Sequence, residues 1–496
     1  MKTKFYITTP LYYVNASPHI GHSYTNIAAD CMARYKRLKG FEVYFLTGTD
    51  EHGQKVQQAA EKLNKAVQDF ADETALRFKD LWQKLNISHD DFIRTTEGRH
   101  IKTVQNVLDI LYKKGDIYED LYKGWYCTPC ETFWTDLQIE DKSCPDCKRP
   151  VEHIEEKNYF FKLSIYQDWL VDYIKKNKDF IKPASRYQEV LSFLSINKLV
   201  DLCISRPKQR LSWGIPLPFS QGHVTYVWFD ALVNYISAIG FSYDDKKFKK
   251  FWPADIHFIG KDILRQHAIY WPIILHALGL KPPKMIFAHG WWKVGASKMS
   301  KSKGNVVDPF EVIKEFKVDV YRYFLLRDIP FGADGNFSWD SITKRFNGDL
   351  ANDLGNLVHR TVTMVEKYYD GKAPTIKKLK LDSEYLSDKL KTFLKMEKIL
   401  EIDSSLNDVQ YSIALEAIWD LINATNKYIE QTKPWVLSKE KKDEELANFV
   451  GVLVKFLKDI SLSISPFMPQ TAEAIKLQID AERIKKGAPL FPRKEV

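Results

Sequence analysis

The chain has 496 residues, 45% hydrophobic and 28% charged, with 73 Lys+Arg against 64 Asp+Glu for a formal net charge of +9. One hydrophobic core stops growing near roughly 250–300 residues, so the length excludes a single-core protein and predicts two or three domains, while the composition excludes a disordered chain. The opening MKTKFYITTPLYY lacks a signal-peptide apolar region, and no window approaches the ~20 apolar residues of a membrane span, so a cytoplasmic protein with no membrane partner is expected.

Residues 4–8 read as a short buried strand. A turn with Pro and Asn follows, then a helix whose apolar positions Ile27, Met32, Tyr35 and Leu38 share one side before Gly40 ends it. A second strand is predicted over 43–46, and strand, helix and strand in that order make a right-handed crossover, the seed of a parallel sheet that binds nucleotides at the carboxyl ends of its strands. The loop entering the helix carries His19-Ile20-Gly21-His22. A helix N-terminus favours anions, two imidazoles there can donate to a phosphate, and Gly21 lets backbone approach a nucleotide closely. Alone, the four residues are as readily two unrelated histidines.

From 115 to 225 the composition changes to clustered cysteines and a Pro-rich stretch, as for a module inserted into the sheet. Cys127-Thr128-Pro129-Cys130 and Cys144-Pro145-Asp146-Cys147 are two Cys-x2-Cys pairs. Such paired turns supply a closed tetrahedral shell for one structural Zn2+, with two disulfides or four free thiols as the alternatives. Cys31 and Cys203 are expected to be packed. The sheet pattern then returns, with a strand over 256–259, a helix through Leu278 closed by Gly279, and a strand over 285–288.

Past that strand lies Lys298-Met299-Ser300-Lys301-Ser302-Lys303-Gly304-Asn305. Closely spaced lysines on a loop can close over a polyphosphate and stabilise departing pyrophosphate, although a Lys run is more often a solvated basic loop. After Gly335 the pattern turns helical, with apolar stripes at Leu386, Leu390, Phe393 and Leu400, at Leu415, Ile418, Ile422 and Ile429, and at Phe449, Leu453, Phe456 and Ile460. That spacing predicts a helical bundle.

Two signals at the ends of predicted strands, bracketing a split nucleotide fold, are far more specific than either alone. HxGH with KMSKS resembles the class I aminoacyl-tRNA synthetases. The strings Pro10-Leu11-Tyr12-Tyr13-Val14-Asn15 through His22 and Thr47-Gly48-Thr49-Asp50-Glu51-His52-Gly53 look like the methionyl-tRNA synthetase family, a similarity running from about Lys4 to the region of Pro469.

The resemblance implies an α/β fold: a Rossmann-like parallel-sheet catalytic domain (1–115 and 226–290) with a zinc-binding insertion (116–225), a KMSKS-loop linker module (291–340) and an all-α helical-bundle anticodon-binding domain (341–496). It implies methionine activation by ATP with Mg2+, followed by transfer to tRNA(Met). His19, His22, Lys298 and Lys301 would be catalytic, with Tyr13, Asn15, Gly21, Gly260, Asp262 and Lys301 at the ATP. Asp50 would pair with the ammonium of L-methionine, and Leu11, Tyr13, Trp228, Ala231, Tyr235, Ile263, His267 and Trp271 would line its pocket. Asn356, Arg360 and Trp435 would read the anticodon; considered alone, they fit a helix-surface Asn and Arg with a buried Trp better. Cys127, Cys130, Cys144 and Cys147 would hold the zinc. A monomer is expected, because the chain ends soon after the bundle. The rivals are another class I synthetase, a nucleotidyltransferase sharing HxGH, or a silent RNA-binding relative; retention of all four catalytic positions argues against the last.

Overall fold

Strand Lys4–Thr8 forms where its apolar run predicts and is buried on both faces, as a central strand of a parallel sheet is. In this computed structural model, residues 3–15, 17–128, 132–134, 139, 141–145, 147–294, 297–298, 307–374, 390–391 and 397–494 are described. The chain divides into two compact units, Met1–Ala29 with Lys39–His289 and Asp30–Leu38 with Gly290–Val496.

In the first unit a seven-stranded sheet, counted over the described residues, is parallel throughout. Glu42–Asp50 pairs with Lys4–Thr8, which pairs with Ile256–Gly260, then Ile286–His289, then Ile181–Lys182. Leu46 has both Thr8 and Asp91 as register partners, and Thr49 both Tyr12 and Arg94. The chain therefore leaves the sheet after Thr8 and rejoins the same side of Glu42–Asp50 at Tyr12–Tyr13.

Two strands depart from the sequence expectation. The strand predicted over 43–46 runs on to Asp50 through Thr47-Gly48-Thr49, a stretch with little strand propensity, because neighbours pair with it on both sides. Gly48 permits this: a Cβ there would lie 1.9 Å from the Ile93 carbonyl oxygen. Ile181–Lys182 falls inside the stretch expected as an insertion, yet it pairs in parallel with Ile286 and Phe287. Two residues carry no readable period. Elsewhere in that stretch lie an antiparallel sheet of Thr132–Trp134, Ile117–Cys127, Glu152–Phe161 and Leu202–Cys203, a smaller one of Ser205–Pro207, Ser220–Thr225 and Pro216–Leu217, and helices Gln167–Lys176 and Ala184–Ile196.

The helix expected to end at Leu278 is composite. A 3-10 turn at Lys261–Ile263 and a π turn at Gln266–Tyr270 lead into α-helix Trp271–Ala277, and Gly279 takes the left-handed conformation (φ +72) that closes it. Helix Ile20–Leu38 buries Ile27, Met32 and Tyr35, while Leu38 is 47% exposed.

In the second unit the helical pattern begins one strand later than expected, because Gly335–Asn336 pairs with Trp292–Val294. Helices Tyr411–Thr432 and Asp443–Ile464 bury all eight stripe residues predicted for them. Each such side chain contributes roughly 1.5–3 kcal/mol relative to exposure. Of the remaining predicted stripe, Leu390 is buried, the backbone at 400 lies in helix Glu397–Asn407, and residues 386 and 393 lie outside the described residues. Fully buried Arg322 is satisfied by Asp30 at 2.6 Å and by the carbonyls of Phe467 and Pro466 at 2.8 and 3.0 Å.

Candidate active site

The His19–His22 turn sits on the first turn of helix Ile20–Leu38, which has no acidic residue there to offset its positive end. Gly21 N–H donates to His19 Nδ1 at 3.1 Å, and His19 N–H donates to His22 Nδ1 at 3.2 Å. A ring nitrogen that accepts from a backbone amide carries no proton, so each neutral imidazole carries its proton on Nε2. The fold thus fixes both tautomers. The rings stack with centroids 3.8 Å apart, and Tyr12 and Phe78 flank His22 at 4.9 and 5.3 Å. Gly21 has a local reason to lack a side chain: its Cβ would meet His19 Cε1 at 3.0 Å.

At the carboxyl end of the extended strand, Asp50 is 7% exposed, with Tyr13 as its register partner and its carbonyl accepting from Val14 N–H at 3.1 Å. Leu11 lies against Gly48, two residues upstream. Asn15 is exposed just beyond Tyr13.

Tyr235, His267 and Trp271 come together in the core, with Leu11 and Ile263 packed against it. His267 Nδ1–H donates to the Ile263 carbonyl at 2.9 Å, so Nε2 accepts the Tyr235 hydroxyl proton at 2.8 Å. Burial drives the His267 pKa down to about 4, against the opposing pull of the Ile263 carbonyl and Asp262, so the ring is neutral near pH 7. The indole of Trp271, a donor only, reaches His257 Nε2 at 3.3 Å, leaving His257 Nδ1–H to donate to Thr8 Oγ1 at 2.7 Å. Burial holds His257 well below its ordinary range as well. The result is a buried, aromatic, uncharged wall. Trp228 and Ala231 share the short helix Val227–Leu232.

At the end of strand Ile256–Gly260, a Cβ on Gly260 would lie 2.6 Å from Asp262 Oδ1, so the bare glycine lets that exposed carboxylate fold back over the strand end. Sequence reasoning gave no role to several buried groups here. Asp230 contacts His52 and His100, Glu51 pairs with Arg94, His257 backs the aromatic wall, and Thr25 Oγ1 meets His289 Nε2 at 2.7 Å. His52 lay within the Thr47–Gly53 string that carried the family resemblance and Asp230 did not, and partners 178 positions apart leave no spacing signal.

Cys127, Cys144 and Cys147 bring their sulfurs within 4.8 Å of one another, with Cys127 and Cys147 at 3.5 Å. Tetrahedral Zn–S bonds of ~2.3 Å imply sulfurs about 3.8 Å apart, so the group fits a metal far better than it fits packing. Cys130 lies outside the described residues, as do the residues 299–306 that hold Lys301, and the side chain of Lys298. Cys31 and Cys203 are buried; burial raises the Cys31 thiol and pushes that of Cys203 up to about 11, as inert packed thiols require.

In the second unit, exposed Asn356 opens helix Asn356–Tyr369. Arg360, one turn on, reaches Glu430 at 3.6 Å near the end of helix Tyr411–Thr432. Trp435, in the next short helix, is 53% exposed. A buried Trp was the ordinary expectation, and the exposed indole departs from it; an exposed aromatic face can stack on splayed bases. A π-helical segment, Phe346–Gly355, leads into Asn356, and within it burial, then Asp349, pushes the Asp353 carboxyl up to about 6.

A parallel sheet with a histidine-bearing crossover at its carboxyl edge, interrupted by a cysteine-bearing module and followed by helices, defines a nucleotide-dependent enzyme of the class I tRNA synthetase kind. The family model described as tRNA synthetases class I (M) matches residues 5–152 and 149–362, and that described as the anticodon-binding domain of tRNA ligase matches 396–491. The methionine-tRNA ligase of Clostridium acetobutylicum is 48% identical over all of this chain and 79% of its own length, and that of Bacillus subtilis 44% identical over 99% and 78%. Mycobacterium tuberculosis methionyl-tRNA synthetase in complex with methionyl-adenylate superposes with a TM-score of 0.90 at 39% identity, covering 100% of this chain and 99% of that one. The chain belongs to the methionine-tRNA ligase family of class I tRNA synthetases.

Proposed function

We propose that this chain activates methionine with ATP and then transfers it to the 3' end of tRNA(Met). The reading is carried by the His19–His22 turn, where backbone amides donate to both Nδ1 atoms and so place the proton of each neutral ring on Nε2, at a positive helix end. A methionine carboxylate oxygen attacks the α-phosphorus of ATP, the bond to the bridging oxygen breaks, and pyrophosphate leaves. His19 and His22 donate to phosphate oxygens as charge builds there. Family resemblance assigns the β- and γ-phosphates to Lys298 and Lys301, with Tyr13, Asn15, Gly21, Gly260 and Asp262 bordering the nucleotide. A terminal ribose hydroxyl of the tRNA then attacks the methionyl carbonyl, and AMP leaves.

Asp50 pairs with the methionine ammonium. Leu11, Tyr13, Trp228, Ala231, Tyr235, Ile263, His267 and Trp271 enclose the thioether, which offers only weak acceptor and aromatic contacts and so is best held by an apolar, polarizable wall. Mg2+ bound to the triphosphate would neutralise part of its charge. Cys127, Cys144 and Cys147, with Cys130 as fourth ligand, would hold one structural Zn2+. The domains would follow the division 1–115 with 226–290, 116–225, 291–340 and 341–496. Among the described residues no helix is long and apolar enough to cross a membrane, and a cytoplasmic monomer completes the reading.

Exchange of labelled pyrophosphate into ATP without tRNA should depend on methionine; exchange supported instead by leucine, valine or cysteine would remove the substrate assignment. Trp435→Ala is expected to weaken tRNA charging while leaving that exchange nearly intact, since Asn356, Arg360 and Trp435 contact the anticodon and not the amino acid. Equal losses in both assays would place Trp435 in the general scaffold.

A further inference from the structure

Separate stretches of the first unit meet on one fully buried carboxylate. Asp230 Oδ2 accepts from His52 Nδ1 at 2.7 Å and Asp230 Oδ1 from His100 Nε2 at 2.7 Å, while His100 Nδ1 lies 2.8 Å from Ser237 Oγ. Burial would raise the Asp230 carboxyl, but His52 and His100 outweigh it and hold the group below its ordinary range. A desolvated charge with both oxygens satisfied is costly to assemble and is kept where a geometry must be fixed.

Two of the connected segments carry residues assigned above to the substrate. His52 stands two residues after Asp50, and Asp230 lies between Trp228 and Ala231 on helix Val227–Leu232. The intervening residue, Glu51, is also fully buried and is anchored elsewhere, by Arg94 at 2.7 and 2.9 Å, Thr49 at 2.6 Å and Thr96 at 2.6 Å. Glu51 therefore ties the Asp50 turn to the neighbouring strand end, and His52 ties it to the helix bearing Trp228 and Ala231.

We propose that Asp230 is a positioning residue for methionine: held by His52, it sets the separation between the ammonium-binding carboxylate of Asp50 and the pocket wall formed by Trp228 and Ala231. The proposal rests on the substrate assignments made above. Methionine presents its ammonium and its thioether a fixed chain length apart, so the site reads both ends only while those attachment points keep their spacing. A misplacement of about 1 Å costs up to roughly a hundredfold in such a site.

The test is pyrophosphate exchange by the full chain, with methionine and ATP varied separately, for Asp230→Asn, His52→Gln, their double variant and Asp50→Asn, each checked for its melting temperature. Asp230→Asn and His52→Gln are each expected to raise the methionine KM roughly ten- to a hundredfold with the ATP KM within about twofold, and the double variant to be no worse than the more severe single one. Should Asp230→Asn not fold, His52→Gln carries the same test. Folded variants that leave the methionine KM within twofold, or that raise both KM values alike, would overturn the positioning role. If Asp50→Asn also leaves the methionine KM unchanged, the underlying assignment of Asp50 has failed; if Asp50→Asn alone raises it, only the role of Asp230 is lost.

Discussion

Asp50→Ala is expected to lower kcat/KM for methionine by roughly 10²–10³-fold, with the KM for ATP nearly unchanged. The residue is 7% exposed at the carboxyl end of a central strand, so an ammonium docked there is removed from water and needs a compensating charge. Truncating one partner of a buried, hydrogen-bonded charge pair costs about 2–5 kcal/mol, most of it from the charge left unpaired. Steady-state exchange kinetics with methionine and ATP varied independently measure this directly. Comparable losses in both substrates would show that Asp50 supports the strand end and not the ammonium.

His22→Ala should slow adenylate formation by ~10²–10³, the loss typical of removing one preorganised donor to a developing oxyanion. The magnitude follows from the local geometry. With Nδ1 engaged by the His19 amide, the proton is already on Nε2 before substrate arrives, and no reorganisation is needed during reaction. The substitution also strips the acceptor from that amide and removes the ring stacked 3.8 Å from His19, so the partner imidazole loses its orientation as well. For that reason the double variant His19→Ala with His22→Ala should be far less than multiplicatively worse. Single-turnover measurement of adenylate formation separates this from product release, and an unchanged rate would take His22 out of the mechanism.

The parts of the site legible in the sequence were those with local grammar. The crossover, the clustering of Cys127 with Cys144 and Cys147, and the apolar stripes of helices Tyr411–Thr432 and Asp443–Ile464 are patterns a few residues long, and physics acts on them locally. The extension of the second strand to Asp50 was not legible, because Thr47-Gly48-Thr49 is held in the sheet by partners at Tyr12 and Arg94 and not by its own propensity. Nor was the π turn that carries His267, since a 3.6-residue period reads straight through it. The Asp230 cluster is the extreme case: its members come from positions 52, 100, 230 and 237, and only the folded topology gathers them. Trp435 shows the converse, a residue whose type alone argued for burial and which is 53% exposed.

The most direct test is a crystal structure of the chain with methionine and a non-hydrolysable ATP analogue. The expected result is the triphosphate against the Nε2 atoms of His19 and His22, with Lys298 and Lys301 on its β- and γ-phosphates and the methionine ammonium on Asp50. Nucleotide bound elsewhere, or bound there with neither imidazole within hydrogen-bond distance of a phosphate, would contradict it.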